Sequence, residues 1–247
     1  MFPLRDHNPS RGTPYVLYAL IAANVVAFLL QLPFTGSERA MLGFWRDWAM
    51  IPVVVTEGGE WHGIFTSMFL HAGLLHLAGN MLFLWIFGDN LEDQLGHLGF
   101  LLFYLAAGIA AALAHIAADP FSVIPTVGAS GAIGGVMGGY LLLFPRARVD
   151  ILLIFIVFFR IFTVPAWIIL GLWFAMQIFS GLSTPTNGGG VAYWAHAGGF
   201  LAGIVLTLPV WLKRGAAAFW LRTEGHPPHP EAEYARSTIP VIRRRRR

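Results

Sequence analysis

Residues 94–118 read QLGHLGFLLFYLAAGIAAALAHIAA, with no Asp, Glu, Lys or Arg between Gln94 and Ala118. A helix crossing the hydrocarbon of a bilayer needs about 20 consecutive apolar residues, and this stretch supplies them. The pattern repeats on both sides of it. Tyr15 to Phe34, Ile64 to Gly88 and Pro120 to Pro145 are equally free of charge. Ile161 to Leu212 is too long for one helix and is interrupted by Gly181-Leu-Ser-Thr-Pro-Thr-Asn-Gly-Gly-Gly190, which is turn chemistry. Six spans are therefore expected, at 15–34, 73–92, 97–117, 128–145, 163–181 and 191–212. Residues 151–159 are apolar but too short to cross before Arg160, and read as a buried strand or a half-inserted helix.

Composition agrees. Charged residues make up 12 % of the 247 and hydrophobic ones 56 %, against roughly 25 % charged in an average soluble domain. That excludes a nucleic-acid-binding domain despite the net charge of +3. The absence of Cys excludes a disulfide scaffold, a thiolate metal site and a Cys nucleophile. A β-barrel would alternate apolar and polar residues, whereas here the apolar residues come in blocks. The fold class expected is all-α, a polytopic membrane bundle.

The first span is longer than the roughly 7–15 residues of a signal-peptide core, and no small-x-small site follows Pro33, so it reads as an anchor. Of the 16 Lys and Arg, only Arg39 and Arg46 fall in outer loops when both termini are inside. The positive-inside rule then places both termini in the cytoplasm. The layout expected is an N-terminal tail over 1–14, a membrane domain over 15–212 and a basic C-terminal tail over 213–247. The arginine run at 243–247 reads as a solvated tail, with a weak attraction to anionic lipid as the alternative.

Polar and ionisable groups inside a span are costly, so each is a functional candidate. The second span carries His71, His76 and Asn80, the last two on one helical face at i, i+4. The fourth opens with Gly128-Ala-Ser130-Gly131, and the sixth carries His196 and Gly199. His115, near Asp119 at the outer end of the third, reads as structural. The second, fourth and sixth spans all begin outside. At 1.5 Å per residue, Ser130, His196, His76 and Asn80 lie roughly 3–11 Å below their helix starts, a common shallow depth. Gly131, Gly135 and Gly139 on one helix, with Gly199 and Gly203 on another, form small-xxx-small patterns that let backbones touch. Such contact would bring a Ser on one helix to a His on another.

A serine hydroxyl is a weak nucleophile until a base takes its proton. His196 is the candidate base and Ser130 the nucleophile. An oxyanion needs donors, and His76, the Asn80 amide and the Ser130 backbone N–H are available. No Asp or Glu lies in the outer half of any span. A dyad is thus the economical reading, with a loop carboxylate folding inward left open.

These residues resemble the rhomboid family of intramembrane serine proteases in its six-span bacterial form, over about Tyr15 to Leu212. The resemblance rests on His71-x4-His76-x3-Asn80, Gly128-Ala-Ser130-Gly131 and His196-x2-Gly199-x3-Gly203, in the family's order, with Gly88-x3-Glu92-x3-Gly96 as a fourth match. It implies Ser130 as nucleophile, His196 as base, His76 and Asn80 in the oxyanion hole and His71 as a shaping residue. No cofactor or metal is implied. Transmembrane protein substrates, contact with lipid, and residence in a bacterial inner membrane are. The implied fold is a six-helix bundle with an outward-open cavity and a half-inserted first outer loop over about 35–72, bearing Phe44-Trp-Arg-Asp-Trp48. Residues 183–190 would form a cap, and span five, with Trp167 and Trp173, a side gate. Glu92 is expected to be structural.

Two positions depart from the family pattern. Trp61-His62 stands where many relatives have Trp-Arg, and Gly134 stands where some stack a Tyr on the catalytic His. Three other readings are open on sequence grounds. A catalytically inactive relative is opposed by the presence of Ser130 and His196. A His-liganded metal or haem protein is opposed by the five-residue spacing of His71 and His76. A transporter is opposed by the lack of a visible internal repeat.

Overall fold

In a computed structural model that describes residues 2–8, 10–155, 158–184 and 190–227, the charge-free runs fold as helices. They are α1 (Tyr15–Gln31), α5 (Leu74–Leu95), α6 (His97–Ala118), α7 (Ser130–Leu143), α8 (Ala166–Ser183) and α9 (Tyr193–Lys213). Each falls on one of the six expected spans. Four of them (α1 continued to Phe34, α6, α8 and α9) are long and apolar enough to cross a membrane. α5 joins them only when taken with His62–Phe69, from which it is bent by 90°. α7 has 14 residues, about 21 Å of helix against about 30 Å of hydrocarbon.

α7 is the axis of the bundle. Every residue from Gly131 to Tyr140 is buried. Apolar side chains gain little from leaving lipid for protein, so helix association in a bilayer depends on close packing. The glycines provide it. A Cβ at Gly199 would fall on the Gly131 carbonyl oxygen, and one at Gly203 on that of Gly135. On the outer helices α1 and α8, Leu29, Leu30, Phe179 and Leu182 are exposed, as lipid-facing positions require.

The segment expected to form the first outer loop is helical: α2 (Glu38–Trp48), α3 (Pro52–Thr56), α4 (His62–Thr66) and a 3-10 turn at Ser67–Phe69. The Ser37 Oγ accepts the Ala40 N–H at 3.4 Å and caps α2. The His62 ring donates to the Asp47 carbonyl at 2.7 Å, so the Trp61-His62 departure still ties this loop down. Met50 pairs with Thr126, and Thr126 Oγ1 lies 3.1 Å from His115 Nε2. This contact is what a structural His115 would make, although the residue also lines the cavity described below.

The helical class is joined by a small antiparallel sheet in the order β1 (Phe2–Asp6), β2 (Arg148–Phe155), β3 (Phe158–Pro165). Of the two readings of 151–159, a buried strand or a half-inserted helix, the strand is the nearer, but the described residues divide between β2 and β3, and Phe159 is exposed rather than buried. β1 was not anticipated, and the N-terminal segment is a paired strand rather than a tail. Its pairing, from Phe2↔Leu152 to Asp6↔Val149, puts the N-terminus and the α7–α8 connection at one end of the bundle. Asp150 is buried there. It accepts from Thr163 Oγ1 at 2.6 Å and from Arg5 Nε at 2.9 Å, and its other contact is His7 Nε2 at 2.7 Å. The Thr163 hydroxyl first, then the His7 ring, hold its carboxyl well below the usual carboxylate range. The opposite holds for Asp6, where burial raises the carboxyl against its bonds from Asn8 and Tyr140.

The basic tail expected over 213–247 begins with an ordered element. α10 (Ala217–Thr223) returns under the bundle, with Phe219 buried and Trp220 Nε1 donating to the Leu142 carbonyl at 2.9 Å. The arginine run at 243–247 and most of the expected cap, 185–189, lie outside the described residues.

Glu92 joins three helices at this end. It is 2 % exposed, accepts the Val16 and Leu17 N–H groups at 3.0 and 2.8 Å, and meets the ring of His97. The carboxylate thus serves the N-terminus of α1, where negative charge is favoured, and offsets its poor position at the end of α5. Glu92→Ala leaves one buried and one half-buried N–H group unpaired and is expected to cost on the order of 3 kcal/mol. Thermal unfolding in detergent checks this against Glu60→Ala on the exposed loop; equal melting temperatures would sink the assignment.

Candidate active site

Ser130 is the first residue of α7. Gly128 makes that start possible. Its φ of +135° is open to glycine and strained for other residues, and a Cβ there would lie 2.9 Å from His76 Cε1 and 3.0 Å from His76 Nε2. The Gly128 N–H is held by the Ser67 carbonyl at 2.9 Å. The chain therefore turns sharply into α7 at Ser130 and not at 128, where the span was expected to begin. As a first-turn residue, Ser130 has a backbone N–H with no intrahelical acceptor.

His196 is on the first turn of α9. The α7–α9 glycine contacts bring its Nε2 to 2.8 Å from Ser130 Oγ. Gly134 belongs to the same seam. A Cβ there would lie 2.9 Å from the His196 carbonyl oxygen, so the aromatic that some relatives carry at this position has no room. Two groups from α8 meet the imidazole instead. Gln177 Oε1 lies 2.9 Å from His196 Nδ1, and the Trp173 ring lies 5.8 Å away, inclined by 30°. Trp173 also lies against Phe200, with ring centroids 6.0 Å apart and inclined by 38°. It therefore faces the site, and of the two tryptophans expected at a gate only Trp167 is turned outward, 56 % exposed.

His76 is the third residue of α5. Its Nδ1 accepts the Ala72 N–H at 3.3 Å. An Nδ1 that accepts leaves the proton on Nε2, which is the atom beside Gly128. Asn80, one turn on, is buried, and its Nδ2 has no acceptor among the described residues. His71 is not in the helix, because α5 begins only at Leu74. It sits in the bend, fully buried and edge-on to His76 at 5.1 Å, with its backbone clamped by the Gln31 amide at 2.6 and 3.3 Å. Its ring nitrogens have no partner among the described residues.

A cavity of about 520 Å³ opens above these groups. His76, Gly128, Ser130 and His196 are in its wall, while His71 and Asn80 are not. Trp45, Met50, Asp119 and Thr126 line it further out. Among the described residues, no group of three His, Asp or Glu is placed to hold a metal ion. The structure thus brings Ser130, His196 and His76 to one surface, with Gly128, Gly131, Gly199 and Gly203 making the approach. Gln177 was overlooked. Its signal was available, since it is a polar residue inside an apolar span, one turn after a tryptophan.

Comparison with known proteins agrees with the motif resemblance. The family model described as Rhomboid domain matches residues 58–213. Rhomboid protease GluP of Bacillus subtilis is 37 % identical over 130 residues, covering 53 % of this chain and 25 % of that protein. The mitochondrial Rhomboid protein 1 of Saccharomyces cerevisiae is 32 % identical over 199 residues, covering 77 % and 51 %. A putative rhomboid protease of Bacillus subtilis, YdcA, is 35 % identical over 122 residues, covering 47 % and 61 %. The chain therefore spans between a quarter and about three fifths of the length of these relatives.

Proposed function

The chain belongs to the rhomboid family, and from that membership we propose that it is an intramembrane serine endopeptidase acting on transmembrane protein substrates. The observation that carries the reading is the 2.8 Å pair of Ser130 Oγ and His196 Nε2 in the wall of an open cavity. The Ser130 hydroxyl donates to Nε2. As Oγ attacks the scissile carbonyl carbon, that proton passes to His196, which delivers it to the leaving amine. A water then attacks the acyl-enzyme, with His196 again as base. The tetrahedral oxyanion is held by the Ser130 N–H and the His76 Nε2–H, and the Asn80 amide, one turn beyond His76 and outside the cavity wall, joins them as the third donor by turning inward when substrate enters.

The short central helix supports a site inside the membrane. If Leu143 sits at the inner edge of the hydrocarbon, 14 residues of helix leave Ser130 about 9 Å below the outer edge. Substrate must then offer an extended backbone at that depth, which favours locally unstable helices with small side chains. Six spans with both termini inside fit the pairing of β1 with β2 at one end. The membrane domain is read as 15–212, and the setting as a bacterial inner membrane with the cavity facing out.

A fluorophosphonate probe tests the proposal in detergent. It is expected to label the wild type and leave Ser130→Ala unlabelled. Co-expression with a panel of tagged single-span proteins should yield fragments only with the wild type. Equal labelling of both proteins overturns the assignment, and labelling without any cleavage points to a binding role.

A further inference from the structure

The dyad reading leaves open what holds the imidazole. We infer that Gln177 is a positioning residue for His196, fixing through its side-chain carbonyl the tautomer that can accept the Ser130 proton. The inference rests on the dyad reading, and deepens it.

The hydrogen-bond chain leaves one consistent assignment of protons. Gln177 is 7 % exposed, and its Nε2 donates to the Trp173 carbonyl, four residues back on α8, at 3.2 Å. A carbonyl oxygen can only accept, so the amide cannot be flipped without setting two acceptors against each other. Oε1 is therefore the atom at 2.9 Å from His196 Nδ1, and Nδ1 must carry the proton. Nε2 is left with its lone pair aimed at Ser130 Oγ, 2.8 Å away. The opposite tautomer would place an N–H against the nucleophile and no base.

Trp173 completes the clamp. Its ring lies beside the imidazole, with centroids 5.8 Å apart and inclined by 30°, and an aromatic face within about 6 Å favours the imidazolium that forms during the attack. Both residues lie one turn apart on α8, whereas Ser130 and His196 lie on α7 and α9. A third helix thus sets the protonation geometry of a two-helix dyad. A carboxylate in this position would also stabilise the imidazolium by its charge. A neutral amide supplies orientation with a weaker electrostatic gain, and avoids an unpaired charge in the span.

Two measurements test this. Gln177→Leu keeps the bulk and removes the acceptor. It is expected to lower kcat by about 10- to 100-fold with KM within about twofold, whereas Gln177→Glu, which presents an acceptor oxygen in either protonation state, recovers most of the loss. A lost packing contact would not be rescued in this way. Independently of any variant's folding, nitrogen NMR of wild type carrying ¹⁵N-histidine, with His196→Ala for assignment, is expected to place the resting proton of His196 on Nδ1. Wild-type kcat in Gln177→Leu, or a proton resting on Nε2, overturns the inference and leaves the dyad standing. Retained cleavage in Ser130→Ala removes the reading beneath it.

Discussion

Cleavage by Ser130→Ala, by His196→Ala and by the double variant is expected to fall to one common floor, on the order of 10⁴- to 10⁶-fold below wild type. The reason is geometric. Nε2 and Oγ are 2.8 Å apart and share one proton, so neither group retains its function without the other. Removing the second after the first then costs almost nothing. A donor behaves differently. Asn80→Ala leaves both reacting groups in place and weakens only the stabilisation of the oxyanion, a loss of about 10²-fold or more in kcat. Rates for the four variants under single-turnover conditions in micelles settle the matter. Multiplying losses in Ser130→Ala and His196→Ala would mean that the two act independently, and would end the dyad reading.

The parts legible in the sequence are those written in local periodicity or in chemical incongruity. Charge-free runs gave the six helices to within a few residues, because a bilayer-spanning helix must satisfy its backbone internally and present apolar side chains outward. Ser130, His76 and His196 were conspicuous because polar side chains are expensive where they lie. What escaped was non-local. β1 gains its hydrogen bonds from a segment more than 140 residues away, and no periodicity within Phe2–Asp6 announces that partner. α10 depends on Phe219 and Trp220 reaching the C-terminal end of α7. Gln177 is a single amide whose role appears only when α8 and α9 are side by side. The start of α7 was missed by two residues because Gly128 has a backbone conformation that a helix cannot contain.

The glycine seam has the largest structural consequence. Gly203→Val is expected to destabilise the protein by about 3 kcal/mol or more and to abolish cleavage. The new Cβ would lie 1.9 Å from the Gly135 carbonyl oxygen, and backbone at Gly135 cannot turn aside as a flexible side chain would. α9 must move away from α7 as a unit. His196 lies two turns above Gly203 on the same helix, so a shift that relieves the clash also draws Nε2 from Ser130. Fluorophosphonate labelling of the variant should therefore fall even at temperatures where it remains folded. Gly171→Ala on α8 is the matched control. Its Cβ meets nothing within 4 Å, and replacing a helical glycine by alanine stabilises by roughly 0.5–1 kcal/mol. If Gly203→Val melts with the control and labels like wild type, α7 and α9 do not meet backbone to backbone. The proximity of Ser130 and His196 would then need another cause.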